Sequence, residues 1–268
     1  MGRTSVPRGT DSRRTTAFPP ERKLVLDTLA LGRAKPMMHA FLEVDVTVAR
    51  LKIQAHRERT GETLSFTAFV LACLGKAVAK HPEVHALRDW RGRVVCFEDV
   101  DATAIVEVDV EGRPFALAHV LRSLNRRTPL EIHQEIREVK AKGMGTLPAA
   151  VRLGSHLALA APNWLRRCVI AAALKSPSFA KRHTGTLLVT SVGMFGRGAG
   201  WGMSAPGIHN LSVVIGGIAT RPSADPAQPA PREVVCLTVS ANHELVDGAP
   251  MARFTRTLTG LMEGAEGL

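Results

Sequence analysis

The 268-residue chain contains no tyrosine, and aromatic residues make up only 4% of it. Proteins that bind single-stranded nucleic acid by base stacking need several exposed aromatic side chains, so the sequence argues against that class. The chain also has no internal repeat and no long low-complexity run. Its 45% apolar and 22% charged residues are typical of a globular protein, and its length allows one large domain with a buried core.

Closely spaced cysteines are also missing. The four cysteines (Cys73, Cys96, Cys168 and Cys236) are far apart, and no two form a C-x-x-C pair. This spacing supports neither a zinc site nor a redox dithiol, so we predict no metal and expect each cysteine to lie in the core.

Long apolar runs are absent as well. Residues 1–20 have no apolar stretch that resembles a signal peptide. No uninterrupted apolar run approaches the ~20 residues that cross a bilayer. We therefore expect a cytoplasmic protein without a transmembrane segment.

Basic residues outnumber acidic ones, and the formal net charge is +11. They are spread along the chain, apart from the polar leader and pairs such as Arg126–Arg127 and Arg166–Arg167. No helix-turn-helix, zinc-finger or RNP pattern accompanies them, so we expect no specific nucleic-acid partner. An anionic small-molecule substrate would use the same surplus charge.

Helical and strand-like segments alternate along the chain. Residues 1–20 are predicted to be a disordered or arm-like basic leader, and residues 21–268 a single domain. Gly61 is expected to close one helix, Ser65 to cap the next, Pro82 to end it, and Pro129 to lie in the first turn of a further helix. The strand-like runs are "MMHAFLEVDVT", "GRVVCFEDV", "DATAIVEVDVEG", "RPFALAHVLR", "GTLLVTSVGMF", "LSVVIGGIAT" and "REVVCLTVSAN". This order predicts an α/β fold with a mixed β-sheet and helices packed on one side.

Residues 143–183 form an apolar, helical segment that is interrupted by Gly154, Pro162 and an arginine pair. The interruptions exclude a membrane span. We expect the segment to pack against the core or a partner subunit, with a helix lying on a membrane surface as the alternative.

The segment "HELVDG" near the C-terminus places His243, Asp247 and Gly248 directly after a strand-like run. Histidine acts as a general base near neutral pH because its unperturbed pKa lies there. Gly248 would permit a tight turn or a close backbone approach. The alternatives are a histidine that is satisfied in the core and a simple ion pair or helix cap.

A second segment, "GTLLVTSVGMFG", places the hydroxyls of Thr190 and Ser191 at the end of a strand, before a glycine. A hydroxyl at this position can donate a hydrogen bond to an oxyanion, which is a large electrostatic contribution in acyl transfer. The alternative is a pair of hydroxyls that cap the loop.

Together the two segments resemble the catalytic domain of the dihydrolipoamide acyltransferase (E2) component of 2-oxo acid dehydrogenase complexes and its relative chloramphenicol acetyltransferase. The family's H-x-x-x-D-G is present as "HELVDG", 25 residues before the C-terminus. Its "GTFTxSNxGxxG" is similar to "GTLLVTSVGMFG", with Thr190 53 residues before His243. The upstream runs "ERKLVLDTL", "HAFLEVDVT", "LSFTAFVLACLGKAVAKHPEVHA" and "LEIHQEIREVKAKG" also follow the family's order, so the resemblance covers roughly residues 21–265.

The resemblance implies a chloramphenicol acetyltransferase-like two-layer fold and a role for each matching residue. His243 would be the general base that removes a proton from a thiol, either of coenzyme A or of dihydrolipoamide, as the sulfur attacks an acyl thioester. Thr190 would stabilise the oxyanion, with Ser191 in reserve at the family's asparagine position. Asp247 would hold the geometry of the site and the orientation of the histidine, and Gly248 would be the turn residue.

The resemblance also implies partners. In the family the histidine and the hydroxyl come from neighbouring subunits, so we expect a homotrimer, with a 24-subunit cube as a larger alternative. Coenzyme A or acyl-CoA would be a substrate, and Arg221 and Arg197 are candidates to bind its negative charges. Residues 1–20 are too short for a lipoyl domain, so a lipoyl group would come from another protein, a lipoyl-domain protein or a subunit of a dehydrogenase complex.

The chain departs from the family pattern at Asn242 and Glu244, where the family commonly has aspartate and arginine. The apolar segment 143–183 is also longer than the family's connection. Two alternatives therefore stay open beside thiol acyl transfer. One is an acetyltransferase with a hydroxyl acceptor, of the chloramphenicol acetyltransferase type, and the other is a catalytically idle structural core.

Overall fold

The computed structural model describes residues 13, 15, 17–19, 22–110, 112–143, 160–193, 198–222 and 230–268. Most of the predicted leader and residues 144–159 of the predicted apolar segment lie outside the described residues.

A six-stranded mixed sheet forms the centre of the fold. Its strands are β1 (Met37–Asp45), β4 (Ala102–Val110), β5 (Arg113–Leu121), β6 (Leu187–Ser191), β7 (Leu211–Arg221) and β8 (Arg232–Asn242). They lie in the order β1-β8-β7-β6-β4-β5, and a separate two-stranded sheet pairs β2 (Leu87–Arg88) with β3 (Val94–Val95). Strand β6 runs parallel to both β7 and β4, whereas every other pair is antiparallel.

Seven α-helices are described beside the sheet. They are α1 (Arg22–Gly32), α2 (Thr47–Thr60), α3 (Phe66–Lys80), α4 (Pro129–Lys142), α5 (Asn163–Leu174), α6 (Pro177–Thr184) and α7 (Gly248–Glu263). Short 3₁₀ turns lie at Pro82–His85 and Leu124–Arg126. Among the described residues, no helix is both long and apolar enough to cross a membrane.

Helix α3 is the most deeply buried helix, because its apolar residues continue around it rather than forming a stripe. It contacts α4 and α7, and together these helices cover one face of the sheet. Alternate residues of the central strands, such as Val189, Val213 and Val239, point into this core. The predicted α/β class is thus confirmed.

Local signals in the sequence place the helix ends correctly. Gly61 ends α2 with a left-handed φ of 74°, a conformation that favours glycine. The Ser65 hydroxyl accepts a hydrogen bond from the Ala68 N–H and so caps α3. Thr128 and Glu131 form a reciprocal capping box at α4, whose first residue is Pro129.

Two local expectations were wrong. The run "GRVVCFEDV" contributes only the two-residue strand β3, since its other residues pair with no sheet strand. Cys73 and Cys236 are buried as expected, but Cys96 and Cys168 are exposed. Burial raises the pKa of the Cys73 thiol to about 12, so that thiol stays protonated at neutral pH.

A buried ion pair fastens α5 to α1. The Asp27 carboxylate of α1 accepts hydrogen bonds from Arg166 Nε at 2.6 Å and from Arg167 Nε at 2.9 Å. The side chains of Asp27 and Arg166 are only 1% and 7% exposed. The two arginines that interrupt the apolar segment therefore anchor its described part to the same chain.

Candidate active site

The loop after β8 carries His243. Its N–H donates to the Pro36 carbonyl oxygen at 2.8 Å, which fixes the loop to the start of β1. The Asn242 carbonyl oxygen accepts from the N–H groups of Leu245 and Val246, so the chain turns tightly around the histidine. The His243 side chain is 54% exposed in the single chain, and its ring is therefore accessible to another molecule.

The side-chain amide of Asn242 holds this turn through hydrogen bonds on both of its polar atoms. Asn242 is 3% exposed, its Oδ1 accepts from the Glu244 N–H at 3.1 Å, and its Nδ2 donates to Asn210 Oδ1 at 3.3 Å. Asn210 in turn donates through Nδ2 to the Ala86 carbonyl oxygen at 3.0 Å. The asparagine that departs from the family pattern is thus part of a connected amide network.

Asp247 lies four residues after His243, and its Oδ1 is 3.6 Å from His243 Nδ1. This distance exceeds that of a good hydrogen bond, and the carboxylate is 84% exposed. Asp247 precedes α7 but makes no side-chain cap to it. In the single chain it can therefore attract an imidazolium, but it does not lock the ring.

Gly248 is the first residue of α7. Its φ lies outside the left-handed region, and an added Cβ would meet no atom within 4 Å. The single chain shows no need for glycine at this position, so the turn role of Gly248 stays a prediction.

Thr190 and Ser191 are the last two residues of β6, as expected, and both are half-buried. Within the described part of the chain neither hydroxyl makes a side-chain hydrogen bond, so both have an unused donor. Ser191 is in register with Ile215 and Leu237, which belong to the core. Thr190 therefore points to the opposite face of the sheet, because successive side chains alternate.

Glycines set the path of the chain after these hydroxyls. A Cβ on Gly193 would lie 2.0 Å from the Gly216 carbonyl oxygen, so only glycine fits there. A Cβ on Gly216 would lie 2.1 Å from the Gly200 carbonyl oxygen, at the irregularity between Ile215 and Ile218 of β7. The glycine-rich loop thus crosses β7 in close backbone contact and supports the end of β6.

The histidine and the hydroxyl are far apart within one chain. Thr190 is in register with Val214, and Val214 with Thr238, whereas His243 lies five residues beyond Thr238. At ~3.4 Å per residue and ~4.8 Å between strands, the two residues are separated by roughly 20 Å. One chain does not bring them together.

The two arginine candidates are not part of this site. Arg221 is the last residue of β7, at the end of that strand away from His243, and its Nη2 donates to Glu43 Oε1 at 3.0 Å. Arg197 lies outside the described residues. Among the residues that are described, no three His, Cys, Asp or Glu side chains are grouped to hold a metal ion.

Sequence reasoning missed a cavity beside the His243 turn. It is lined by Asn242 and Glu244 from the turn and by Lys35, Arg88 and Asn210 from elsewhere in the chain. These residues belong to no motif and come from distant positions, so only the folded chain shows that they are neighbours.

The chain resembles known proteins in part of its sequence and in its fold. Residues 165–268 match the family model of the 2-oxoacid dehydrogenases acyltransferase (catalytic domain). A probable dihydrolipoamide acetyltransferase from Listeria monocytogenes superposes with a TM-score of 0.73 at 17% identity, covering 96% of this chain and 97% of the other. The chain has the fold of a dihydrolipoamide acyltransferase catalytic domain.

Two further solved structures share the fold. One is the dihydrolipoamide acetyltransferase of Azotobacter vinelandii (TM-score 0.70, 16% identity, 97% of each chain), studied for the role of a serine, a histidine and an asparagine in its catalytic mechanism. The other is chloramphenicol acetyltransferase (TM-score 0.52, 15% identity, 92% of this chain and 96% of the other). No curated protein matches the sequence. The family match and the dihydrolipoamide acyltransferase fold support an acyltransferase.

Proposed function

We propose that the protein transfers an acyl group between coenzyme A and a thiol such as dihydrolipoamide, at a site between two subunits of a homotrimer. His243 of one subunit takes the proton from the attacking thiol. The Thr190 hydroxyl of the neighbour donates to the oxyanion that forms on the thioester carbonyl. The observation that carries the proposal is the separation of these two groups within one chain, although both belong to segments that resemble the family's catalytic motifs.

The chemistry needs only these groups and the two substrates. The imidazole of His243 accepts the thiol proton while the sulfur attacks the acyl carbon. The tetrahedral intermediate then expels the donor thiolate, which recovers the proton from the imidazolium. A carboxylate 3.6 Å from Nδ1, that of Asp247, stabilises the imidazolium between these steps.

The choice between Thr190 and Ser191 rests on two opposing observations. In the Azotobacter enzyme the catalytic serine precedes the histidine by 52 residues, and here Ser191 lies at that distance from His243. However, the motif aligns Thr190 with the family's serine, and the register directs Ser191 towards the core. We favour Thr190, because it lies on the face of the sheet opposite the helical core, where a group can serve a neighbouring subunit.

That face also has the character of a subunit interface. Phe41, Trp201 and Met203 are 56%, 44% and 63% exposed on it or over it. Phe41 is in register with Thr238, and the Trp201 indole N–H donates to the neighbouring Leu42 carbonyl oxygen. Exposed aromatic and large apolar side chains on the same side of the sheet as Thr190 favour a surface that another subunit covers.

The test is the turnover of acetyl-CoA with free dihydrolipoamide by the wild-type protein and by His243→Ala at equal trimer content. Removing a general base is expected to lower kcat by about 10²- to 10⁴-fold. His183→Ala, which removes an exposed histidine on α6, is the matched control and is expected to retain activity. Equal turnover in wild type and His243→Ala would contradict the proposal.

A hydroxyl acceptor is the second candidate, because the chain also shares its fold with chloramphenicol acetyltransferase. The same base would deprotonate an alcohol in place of a thiol. Replacing dihydrolipoamide by chloramphenicol in the same assay separates the two acceptor classes. If an intact trimer uses neither acceptor, the catalytically idle core becomes the better account.

A further inference from the structure

The cavity beside the His243 turn has a volume of about 200 Å³. It lies between helices α1, α5 and α6 and the end of the sheet at which Asn210 and Asn242 lie. Leu31, Leu174 and Ile208 give it apolar walls. Its volume is below the ~300 Å³ of the smallest typical drug-sized sites, so any occupant is small.

Among the described residues, Lys35 is a cation of this cavity that forms no ion pair. Lys35 is half-buried, and its Nζ donates to the Ile208 carbonyl oxygen. An ammonium group has three donors, so two of them are unused. Among the described residues no carboxylate lies within 4 Å of Lys35 Nζ. Burial lowers the pKa of Lys35 to about 8, against the opposing charge of Glu244, so the group is still mainly cationic at pH 7.

The other polar groups of the cavity leave this charge uncompensated. Glu244 Oε2 lies 3.9 Å from Arg88 Nη2, which balances the carboxylate with a different cation. Burial lowers the pKa of His209 to about 4, so this histidine is neutral, and its Nε2 donates to the Thr184 carbonyl oxygen at 2.7 Å. Together with Lys35 itself, these groups therefore sum to one net positive charge.

We propose that this cavity binds a small carboxylate, with its oxygens on Lys35 Nζ and its carbon chain against Leu31, Leu174 and Ile208. A carboxylate supplies two acceptor oxygens and a single negative charge, which match the unused donors and the net charge. Inorganic phosphate fits less well, because it has no apolar part that could contact the three apolar side chains. The occupant is either a free carboxylate or a carboxylate at the end of a transferred acyl group, and only the second source rests on the proposed function.

The direct test is calorimetric titration of the full-length protein with acetate, butyrate and succinate at pH 7, with inorganic phosphate for comparison. We expect carboxylates to bind more tightly than phosphate. Lys35→Met should weaken this binding by about tenfold or more, as expected for a hydrogen bond to a charged group. Lys52→Met, at an exposed lysine on α2, is the matched control and should bind as wild type does.

A second variant keeps the proposal testable if Lys35→Met does not fold. Ala180→Leu narrows the cavity from α6 and keeps the cation, so it should also weaken binding. In the wild type, binding should weaken as the pH rises past about 8, where Lys35 loses its proton. Binding that is equal in wild type and Lys35→Met, phosphate bound more tightly than any carboxylate, or no binding at millimolar ligand would each overturn the proposal.

The source of the carboxylate is separated by turnover. If succinate inhibits transfer from succinyl-CoA more strongly than transfer from acetyl-CoA, the cavity holds the end of an acyl group. If succinate binds but inhibits both equally or neither, the cavity holds a free carboxylate. If neither acyl-CoA is consumed, the proposed function fails, whereas the titration still decides whether the carboxylate site exists.

Discussion

Replacing Asn242 by alanine tests how the turn that carries His243 is held. The change removes the acceptor of the Glu244 N–H at 3.1 Å and the donor to Asn210 Oδ1 at 3.3 Å. Each lost hydrogen bond costs about 1 kcal/mol, and more where a buried partner stays unsatisfied. We therefore expect a loss of ~2–3 kcal/mol in the free energy of unfolding.

Asn210→Ala provides the matched comparison. It removes the same 3.3 Å bond and the 3.0 Å bond to the Ala86 carbonyl oxygen, but it leaves the Glu244 N–H bonded to Asn242. Its cost in stability should be similar, at about 2–3 kcal/mol. The double variant should lose less than the sum of the two, since the single variants share one bond.

The two variants should differ in activity. Only Asn242→Ala frees the backbone next to His243, and small misplacements of a catalytic group cost up to ~10²-fold in rate. The assay combines urea unfolding with kcat for acyl transfer. Less than ~0.5 kcal/mol of destabilisation in Asn242→Ala, or an equal loss of kcat in Asn210→Ala, would refute this reasoning.

Three further predictions follow from the contacts described above. Thr190→Val should lower kcat by about 10²- to 10³-fold, as for the loss of an oxyanion donor. Ser191→Ala should lower kcat much less. A larger loss in Ser191→Ala would show that Ser191, and not Thr190, is the oxyanion donor. Asp27→Asn should lower the free energy of unfolding by about 3–5 kcal/mol in chemical denaturation, because Arg166 would be left buried and unpaired. As the control, Asp109→Asn at the exposed end of β4 should change the free energy of unfolding little. Burial alone would raise the pKa of Asp27, but hydrogen bonding to Arg166 and Arg167 outweighs it and lowers that pKa. The contribution of Asp27 to stability is therefore complete above the ordinary carboxyl pKa near 4 and is lost as the pH falls through the lowered value. A wild-type stability curve with no greater acid sensitivity than that of Asp27→Asn would contradict this prediction.

Much of the fold could be predicted from the sequence because the relevant signals are local. The alternating run of β1 and the continuous apolar runs of β7 and β8 mark an edge strand and two central strands. The caps at Ser65 and Thr128 follow from residue type and spacing. The pairing of β6 with both β7 and β4 depends on contacts between distant segments, and local pattern carries no signal for it.

The candidate site also contains residues that local motifs predict and residues that only the tertiary fold brings together. His243, Asp247 and Thr190 stand in recognisable motifs at strand ends, so their positions were predicted. Lys35 and Asn210 lie beside the His243 turn only through the tertiary fold, and neither belongs to a motif. Arg221 is matched by no motif, and in the structure it pairs with a surface partner, Glu43.

Some expectations stay predictions. The 24-subunit cube, the lipoyl-domain partner and the cytoplasmic location concern contacts or compartments that a single chain does not contain. The arginine pair that interrupts the apolar segment has a structural explanation, because a buried carboxylate on α1 binds both side chains.

The central claim is that each active site takes His243 from one subunit and Thr190 from the next. Its most direct test mixes two inactive variants, His243→Ala and Thr190→Val, by unfolding and refolding equal amounts together. Each mixed trimer with cyclic symmetry then contains one site with both groups intact, so random assembly should restore about a quarter of the wild-type rate. Variants refolded separately and then combined should stay inactive. Mixed trimers that form but show no more activity than the separate variants would contradict a site shared between subunits.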